Sequence, residues 1–112
     1  MYKLLYLPVA RDDISKAVSY IANTLDSPLA AKNFARELEK ALLRLQEYPF
    51  SCSVYPTPSL NGHYRFMPVR NYCVFYSVDE ASQIVEISRV LYARMDIERM
   101  IYGSASDSWR EP

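Results

Sequence analysis

The spacing of the apolar residues changes along this chain, and each pattern predicts a different element. Residues 2–7 are large and mostly apolar, and they end at Pro8, which cannot donate a hydrogen bond to a strand ladder. We therefore predict a short first strand here. From about Arg11 the apolar residues recur every three or four positions and form one stripe, Ile14, Val18, Ile21 and Leu25. This spacing predicts a helix of about fifteen residues, and Asp12 and Asp13 suit the positive end of its dipole.

A second helix is predicted directly after a break at Asp26. Ser27 can act as its N-cap, and Pro28 suits the first helical position because no hydrogen bond from its nitrogen is needed there. We expect this helix to end near Tyr48, before Pro49. Its expected buried stripe is Ala31, Phe34, Ala35, Leu38, Leu42 and Leu45. So short a turn between two helices predicts an antiparallel hairpin.

Residues 64–94 read as three short strands, because β-branched and aromatic residues recur in runs that polar turn-formers separate. We predict strands at residues 64–68, 72–78 and 83–91. Short connections between them predict an antiparallel meander. In the middle strand, Tyr72, Val74, Tyr76 and Val78 alternate with Cys73, Phe75 and Ser77. One face of the sheet should therefore lie under the helices, while the other is at least partly open.

These elements predict an α+β fold of two layers. An N-terminal strand and a helical hairpin pack on a mainly antiparallel sheet that ends in the three-strand meander. Residues 50–61 form an irregular, uncharged connection that should pack against the body. A last short helix is expected at residues 96–102. We predict one domain at residues 1–102, followed by a polar tail at residues 103–112 that carries Trp109.

The charges of the chain balance, with 13 basic and 13 acidic residues among 112. This balance disfavours a protein that coats nucleic acid over its whole surface. No acidic residue occurs between Glu47 and Asp79, where His63, Arg65 and Arg70 lie, so the start of the meander should be locally positive. A basic row at four-residue spacing in the second helix, Arg36, Lys40 and Arg44, is typical of a solvated face and could also serve as a binding edge.

Cys52 and Cys73 are the only cysteines, which are too few for a disulfide framework and are typical of reduced thiols in the cytoplasm. No apolar run approaches the ~20 residues of a membrane span. We therefore expect a cytoplasmic protein without a membrane contact, a metal site or a bound cofactor.

The order of these elements, together with two sequence patterns, resembles the toxins of the RelE/ParE superfamily from bacterial type II toxin–antitoxin modules. The patterns are NY-x-V-F-Y-x-V-D-E at residues 71–80 and V-E-I-x-R-V-L-Y-A-R-M-D at residues 85–96. The resemblance covers residues 2–101. It implies a growth-inhibiting toxin of the plasmid-stabilisation type, held in a hetero-oligomer by a cognate antitoxin that adds a helix, and sometimes a strand, to it.

The superfamily divides by activity: RelE-like toxins cut messenger RNA in the ribosome, and ParE-like toxins poison DNA gyrase. RelE-like relatives use lysines or a glutamate before the meander, an arginine in its middle strand, and an arginine, histidine or tyrosine near the end of its last strand. Here residues 50–61 contain neither Lys nor Glu, Cys73 occupies the middle-strand position and Tyr92 the last. A tyrosine with an ordinary pKa near 10 is a poor base at neutral pH.

The resemblance therefore favours DNA gyrase as the target. A ribosome-dependent, metal-independent RNA endonuclease and a non-toxic antitoxin-binding module remain as alternatives. The residues predicted to bind the target are Arg65, Arg70, Arg89 and Arg94. Under the endonuclease alternative, Arg65 and Tyr92 would be catalytic, with His63 as a further candidate. Arg89 could instead form a buried pair with Glu86 or Asp96.

Overall fold

The structure is a computed structural model that describes residues 1–55 and 64–94. In chain order the elements are β1 (Lys3–Tyr6), α1 (Pro8–Ser19), a π-helical turn (Tyr20–Thr24), α2 (Pro28–Glu47), β2 (Arg65–Val69), β3 (Tyr72–Asp79) and β4 (Ile84–Tyr92). His63, the helix predicted at residues 96–102 and the tail with Trp109 lie outside the described residues. The domain end at residue 102 thus stays a prediction. Among the described residues, no helix combines the length and the apolar composition that crossing a bilayer requires.

The four strands form one sheet in the order β1-β4-β3-β2. The meander β2–β3–β4 is antiparallel throughout, while β1 lies parallel to β4. The predicted two-layer α+β fold is confirmed, including its mainly antiparallel sheet. Strand β1 pairs with β4 only from Ile84 to Ile87. Among the described residues, no strand pairs with the remainder of β4 on that side, and α1 packs against it there.

Helix α1 begins at Pro8, three residues earlier than predicted, so this proline both ends the strand and starts the helix. Its most buried residues are Ala10, Asp13 and Ala17. Ile14, Val18 and Ile21 of the predicted stripe are half-buried and pack against the core, whereas Leu25 is exposed, contrary to the prediction. Small side chains face the sheet edge, which allows a close approach. The π-helical turn adds a residue to the last turn, with the Leu25 amide donating to the Tyr20 carbonyl at 3.1 Å, and rotates Leu25 off the stripe.

Helix α2 follows the sequence prediction closely. The Ser27 hydroxyl accepts a hydrogen bond from the Ala30 amide at 3.3 Å, and Pro28 is the first helical residue. Five of the six stripe residues are buried, namely Ala31, Phe34, Leu38, Leu42 and Leu45. Ala35 is exposed, contrary to the prediction, and Ala41 is buried in its place. The stripe steps by three or four residues, which leaves Ala35 at its border.

The residues of β3 alternate between the two faces of the sheet as predicted, but the face expected to be at least partly open carries a second buried apolar cluster. Val74 and Tyr76 lie in the main core beneath the helices. On the opposite face, Cys73 and Phe75 pack with Leu91. The ring of Tyr55 covers this second cluster, with its centroid 5.2 Å from that of Phe75. The described part of the predicted connection, residues 50–55, therefore packs against the body, and residues 56–61 lie outside the described residues.

Candidate functional site

An open cavity of about 250 Å³ lies at the end of the sheet where β3 begins and β4 ends. It is bounded by the π-helical turn, the start of α2 and the β2–β3 turn. Its lining residues are Tyr20, Ile21, Leu25, Ala30, Phe34, Arg70, Asn71, Tyr72 and Tyr92. We call it the tyrosine cavity. A neighbouring depression of about 290 Å³ shares its three tyrosines and adds Asp13 and Arg89.

The tyrosine cavity takes its character from aromatic side chains that the sheet register brings together. Tyr72 and Tyr92 are cross-strand partners, and their ring centroids lie 5.5 Å apart in an edge arrangement. The ring of Phe34, from α2, lies 5.0 Å from that of Tyr72. Burial raises the pKa of Tyr72 above its usual 10.0, and Tyr20 and Tyr92 raise it further. This phenol is thus neutral near pH 7, where it can donate a hydrogen bond but is a weak base.

Arg70 forms part of the rim of this cavity. It occupies the two-residue turn between β2 and β3 with a positive φ of 55°, the backbone region that tight hairpin turns require. Its Nη2 atom donates to Glu37 Oε2 on α2 at 2.7 Å, and both side chains are about half exposed. A pair this exposed is weakened by water and competes poorly with a charged ligand.

Arg89 lies in a different environment, although it also pairs with a carboxylate. Its Nε and Nη2 atoms donate to the two carboxylate oxygens of Asp13 at 2.7 and 3.0 Å, and both side chains are largely buried. Asp13 also accepts the Val90 amide at 3.0 Å. Because β1 ends at Tyr6, a carboxylate of α1 takes the place of a strand partner at this point. Asp13 was not among the partners that the sequence suggested.

Arg65 lies away from the cavity, at the start of β2 and opposite the middle of β3. Its Nη1 atom donates to the Cys52 carbonyl oxygen at 2.6 Å, and its guanidinium lies 5.0 Å from the ring centre of Phe50. Its cross-strand neighbour Tyr76 is fully buried and donates its hydroxyl to the Pro49 carbonyl at 2.9 Å. Burial raises the pKa of Tyr76 strongly. Internal hydrogen bonds therefore engage both the Arg65 guanidinium and the Tyr76 hydroxyl.

The structure divides the predicted site residues into two groups. Arg70 and Tyr92 line the tyrosine cavity, Arg89 lines the adjoining depression, and Arg94 is exposed just beyond β4. Arg65 is apart from them: Tyr76, which faces it in the register, is four residues from Tyr72, which faces Tyr92. Four residues of strand span about 13 Å, and β2 and β4 lie on opposite sides of β3.

Two residues at the cavity were missed by the sequence interpretation, Tyr20 and Asp13. Asp13 carried a signal, since it lies three residues after Ala10 and four before Ala17, on the stripe that proved to be buried. Tyr20 carried none, because its position depends on the π-helical turn that begins with it.

Cys73 occupies the position where the resemblance would place an arginine of RelE-like toxins. It is 7% exposed, and burial raises the pKa of its thiol to about 11. It is thus neutral and inaccessible at neutral pH, and a thiol in this state provides neither a cation nor a nucleophile. Among the described residues there is also no group of three or more His, Cys, Asp or Glu side chains that could hold a metal ion.

Comparisons with known proteins bear on the family. A family model described as the ParE toxin of the type II toxin–antitoxin system parDE matches residues 4–97. A search of curated protein sequences finds no significant match.

Three solved structures share the fold. The chromosomal ParDE toxin–antitoxin system from P. aeruginosa is similar with a TM-score of 0.67 at 14% identity, over 84% of this chain and 98% of that chain. The RelBE2 toxin–antitoxin complex from Mycobacterium tuberculosis has a TM-score of 0.58 at 21% identity, over 81% and 96% of the chains. The isolated E. coli RelE toxin has a TM-score of 0.56 at 18% identity, over 88% of this chain and 92% of that chain. The predicted membership of the RelE/ParE superfamily is thereby confirmed, and because the family model spans most of the sequence, this chain belongs to the ParE family, the toxins of type II toxin–antitoxin systems.

Proposed function

We propose that this toxin inhibits bacterial growth in the cytoplasm by poisoning DNA gyrase, in the manner of ParE, and that a cognate antitoxin neutralises it. One observation carries the choice of target. The two residues that an RNA-cutting mechanism would need here, Arg65 and Tyr92, lie on opposite sides of β3 and about 13 Å apart along it, and Arg65 is held by the Cys52 carbonyl.

Cleavage of RNA without a metal needs a base, an acid and a cation within reach of one phosphate. The tyrosine cavity instead combines aromatic rings with an arginine held by Glu37. Among the described residues, none accepts or donates a hydrogen bond to the hydroxyls of its three tyrosines. Tyrosine rings beside an arginine are typical of the centre of a protein-binding surface.

We therefore assign gyrase contact to the tyrosine cavity, with Arg70 and Tyr92 as its main residues and exposed Arg94 beside them. Arg89 acts in this proposal as a positioning residue, since its pair with Asp13 holds the adjoining wall. Arg65 acts away from the cavity, where its hydrogen bond holds the Cys52 carbonyl beside β2.

The test combines purified toxin, DNA gyrase, ATP and supercoiled plasmid, and measures linear DNA after denaturing the complexes with detergent. We expect trapped cleavage by the wild type and at least a tenfold loss of potency for Tyr92→Ala and Arg70→Gln. Tyr48→Ala is the matched control, because Tyr48 is exposed at the end of α2, outside the cavity. It should keep full potency.

Absence of trapped DNA at micromolar toxin would contradict the gyrase proposal. A translation extract provides the complementary assay. Messenger RNA cut at codon positions, with the cutting lost in Arg65→Ala and Tyr92→Phe, would replace the proposal by the RelE-like endonuclease. Expression without growth arrest or either activity would indicate the non-toxic antitoxin-binding module.

A separate surface suits the antitoxin. An apolar groove of about 310 Å³ runs between β1 and the two helices and is lined mainly by Leu4, Tyr6, Ile14, Leu38, Leu42 and Leu43. Two of the similar solved structures contain toxins with their antitoxins. We assign this groove to an amphipathic helix of the cognate antitoxin, which would insert its apolar side chains there and form the hetero-oligomer.

Two exposed leucines of α2 allow a matched test of this assignment. Leu43 lines the groove, whereas Leu29, which is also exposed, lies outside it. We expect Leu43→Asp to abolish neutralisation by co-expressed antitoxin while toxicity remains, because a carboxylate cannot be buried in an apolar contact. Leu29→Asp should be neutralised as the wild type is. Equal neutralisation of both variants would place the antitoxin elsewhere.

A further inference from the structure

A second cleft lies on the other side of Arg70, between α2 and the edge strand β2. It measures about 220 Å³, and its charged lining side chains are Glu37, Lys40, Arg44 and Arg70. Three cations thus surround one carboxylate, on a chain whose formal net charge is zero. We propose that this cleft, which we call the basic cleft, binds backbone phosphates of duplex DNA. The proposal does not depend on the choice of gyrase as target.

The cleft arises from helix periodicity and one turn. Lys40 and Arg44 are four residues apart on α2, so they lie on one face and about 6 Å apart along the axis. Arg70 reaches the same cleft because the tight β2–β3 turn lies against α2, where Glu37 holds its guanidinium at 2.7 Å. Two of the three cations of the basic row noted in the sequence therefore face a third cation from the meander.

The charges of the cleft are available to a ligand. Lys40 and Arg44 are exposed, and neither forms an ion pair with another described residue. Within the part of the chain that the structure describes, Arg70 forms one ion pair, and because that pair with Glu37 is exposed, a stronger anion can replace the carboxylate. Guanidinium and ammonium groups are the usual partners of phosphate oxygens in protein–DNA complexes. The residues therefore favour a phosphate over an apolar or cationic group.

The remaining lining favours a duplex over an unpaired strand or a peptide. No aromatic ring of the described residues lines the cleft, so an unpaired base would find no stacking platform. A peptide strand cannot pair along this part of β2, because Pro68 has no N–H to donate. Earlier along β2, the Phe66 amide already donates to the Ser53 carbonyl at 3.1 Å. The cleft is therefore best suited to contact the backbone phosphates of a double helix.

Fluorescence anisotropy of a labelled 24-base-pair duplex tests the proposal with the purified full-length toxin alone. Three phosphate contacts predict that log K falls with log[salt] with a slope of about −2 to −3. We expect Lys40→Gln/Arg44→Gln to weaken binding at least tenfold at 50 mM salt and to reduce the slope by about 1.8. Lys3→Gln/Lys32→Gln is the matched control, since it removes two exposed charges outside the cleft. It should change affinity less than twofold.

A variant that should bind the duplex more tightly provides an independent test. Glu37→Gln removes the carboxylate from the cleft and releases Arg70, so it should tighten duplex binding roughly threefold. No binding to the duplex at 50 mM salt, or equal losses in the two double variants, would overturn the proposal. A single-stranded RNA of the same length that binds tenfold tighter than the duplex would also overturn it.

Discussion

Two arginines of the meander each hold a carboxylate of the helical hairpin, and the two pairs have the same N···O distance of 2.7 Å. Their burial differs: the side chains of Arg89 and Asp13 are 13% and 8% exposed, and those of Arg70 and Glu37 are 47% and 48% exposed. Water screens the exposed pair, which contributes about 0–1 kcal/mol. Removing one partner of a buried pair typically costs about 3–5 kcal/mol.

The difference separates two kinds of arginine at one end of the molecule. Arg89 and Asp13 form the wall of a depression, where Asp13 also satisfies the Val90 amide. Arg70 stands between the tyrosine cavity and the basic cleft and lines both. The two ion pairs therefore have equal N···O distances but different roles. The buried pair of Arg89 with Asp13 fixes the edge of β4, whereas Arg70 can exchange Glu37 for a ligand.

The largest effect is expected from breaking the buried pair. Asp13→Ala removes the carboxylate that holds Arg89 and the acceptor of the Val90 amide, so unfolding in urea should show a loss of about 3 kcal/mol. Asp13→Asn keeps an oxygen acceptor and should lose less. Asp12→Ala, at the exposed neighbouring position, should change stability by no more than about 0.5 kcal/mol. Equal losses for Asp12→Ala and Asp13→Ala would contradict the structural role of the pair.

This pair also marks the limit of sequence interpretation for this fold. Local signals determined α2, from the Ser27 cap and Pro28 to its end, and the strand–turn pattern determined the meander. The Asp13–Arg89 pair joins residues 76 positions apart, and no local pattern relates them.

The site was predictable to a smaller extent than the fold. Arg70 and Tyr92 were both named as candidate site residues, but the strand register was needed to show that they line one cavity. Arg65 lies apart from them because antiparallel pairing places the start of β2 beside Tyr76, in the middle of β3. Tyr20 enters the cavity through the π-helical turn, and a single extra residue in a helical turn leaves no periodic signal.

The contrast of burial extends to the two thiols and predicts a pH dependence. Burial raises the pKa of Cys73 from 9.0 to about 11. The unfolded chain therefore loses this proton at a lower pH than the folded chain does. The contribution of the thiol to the free energy of unfolding is complete below pH 9 and is lost as pH rises towards 11. Between these values the wild type should lose on the order of 1–2 kcal/mol more stability than Cys73→Val. Half-buried Cys52 is the control. Cys52→Ser should lose stability with the same pH slope as the wild type, because it leaves Cys73 unchanged. Identical pH slopes for wild type and Cys73→Val would contradict this prediction.

A third comparison sets a buried tyrosine in the middle of β3, Tyr76, against an exposed tyrosine at the end of β4, Tyr92. The Tyr76 hydroxyl donates to the Pro49 carbonyl within the core, so Tyr76→Phe should cost about 1 kcal/mol. The Tyr92 hydroxyl has no hydrogen-bond partner among the described residues and lines the tyrosine cavity. Tyr92→Phe should therefore leave the free energy of unfolding unchanged within about 0.5 kcal/mol. A larger cost for Tyr92→Phe would mean that its hydroxyl is structural and not available to a ligand.

The smallest effect is expected at the rim, where a double-mutant cycle of Arg70→Gln and Glu37→Gln isolates the exposed pair. Its coupling energy should be below about 1 kcal/mol, because water competes for both groups. In 1 M salt, where the screening length falls to about 3 Å, the coupling should nearly vanish. A coupling above about 2 kcal/mol that persists in salt would make Arg70 structural, as Arg89 is. A small, salt-sensitive coupling means that Arg70 loses little when it leaves Glu37, which is the property that a residue between the tyrosine cavity and the basic cleft needs in order to contact a target.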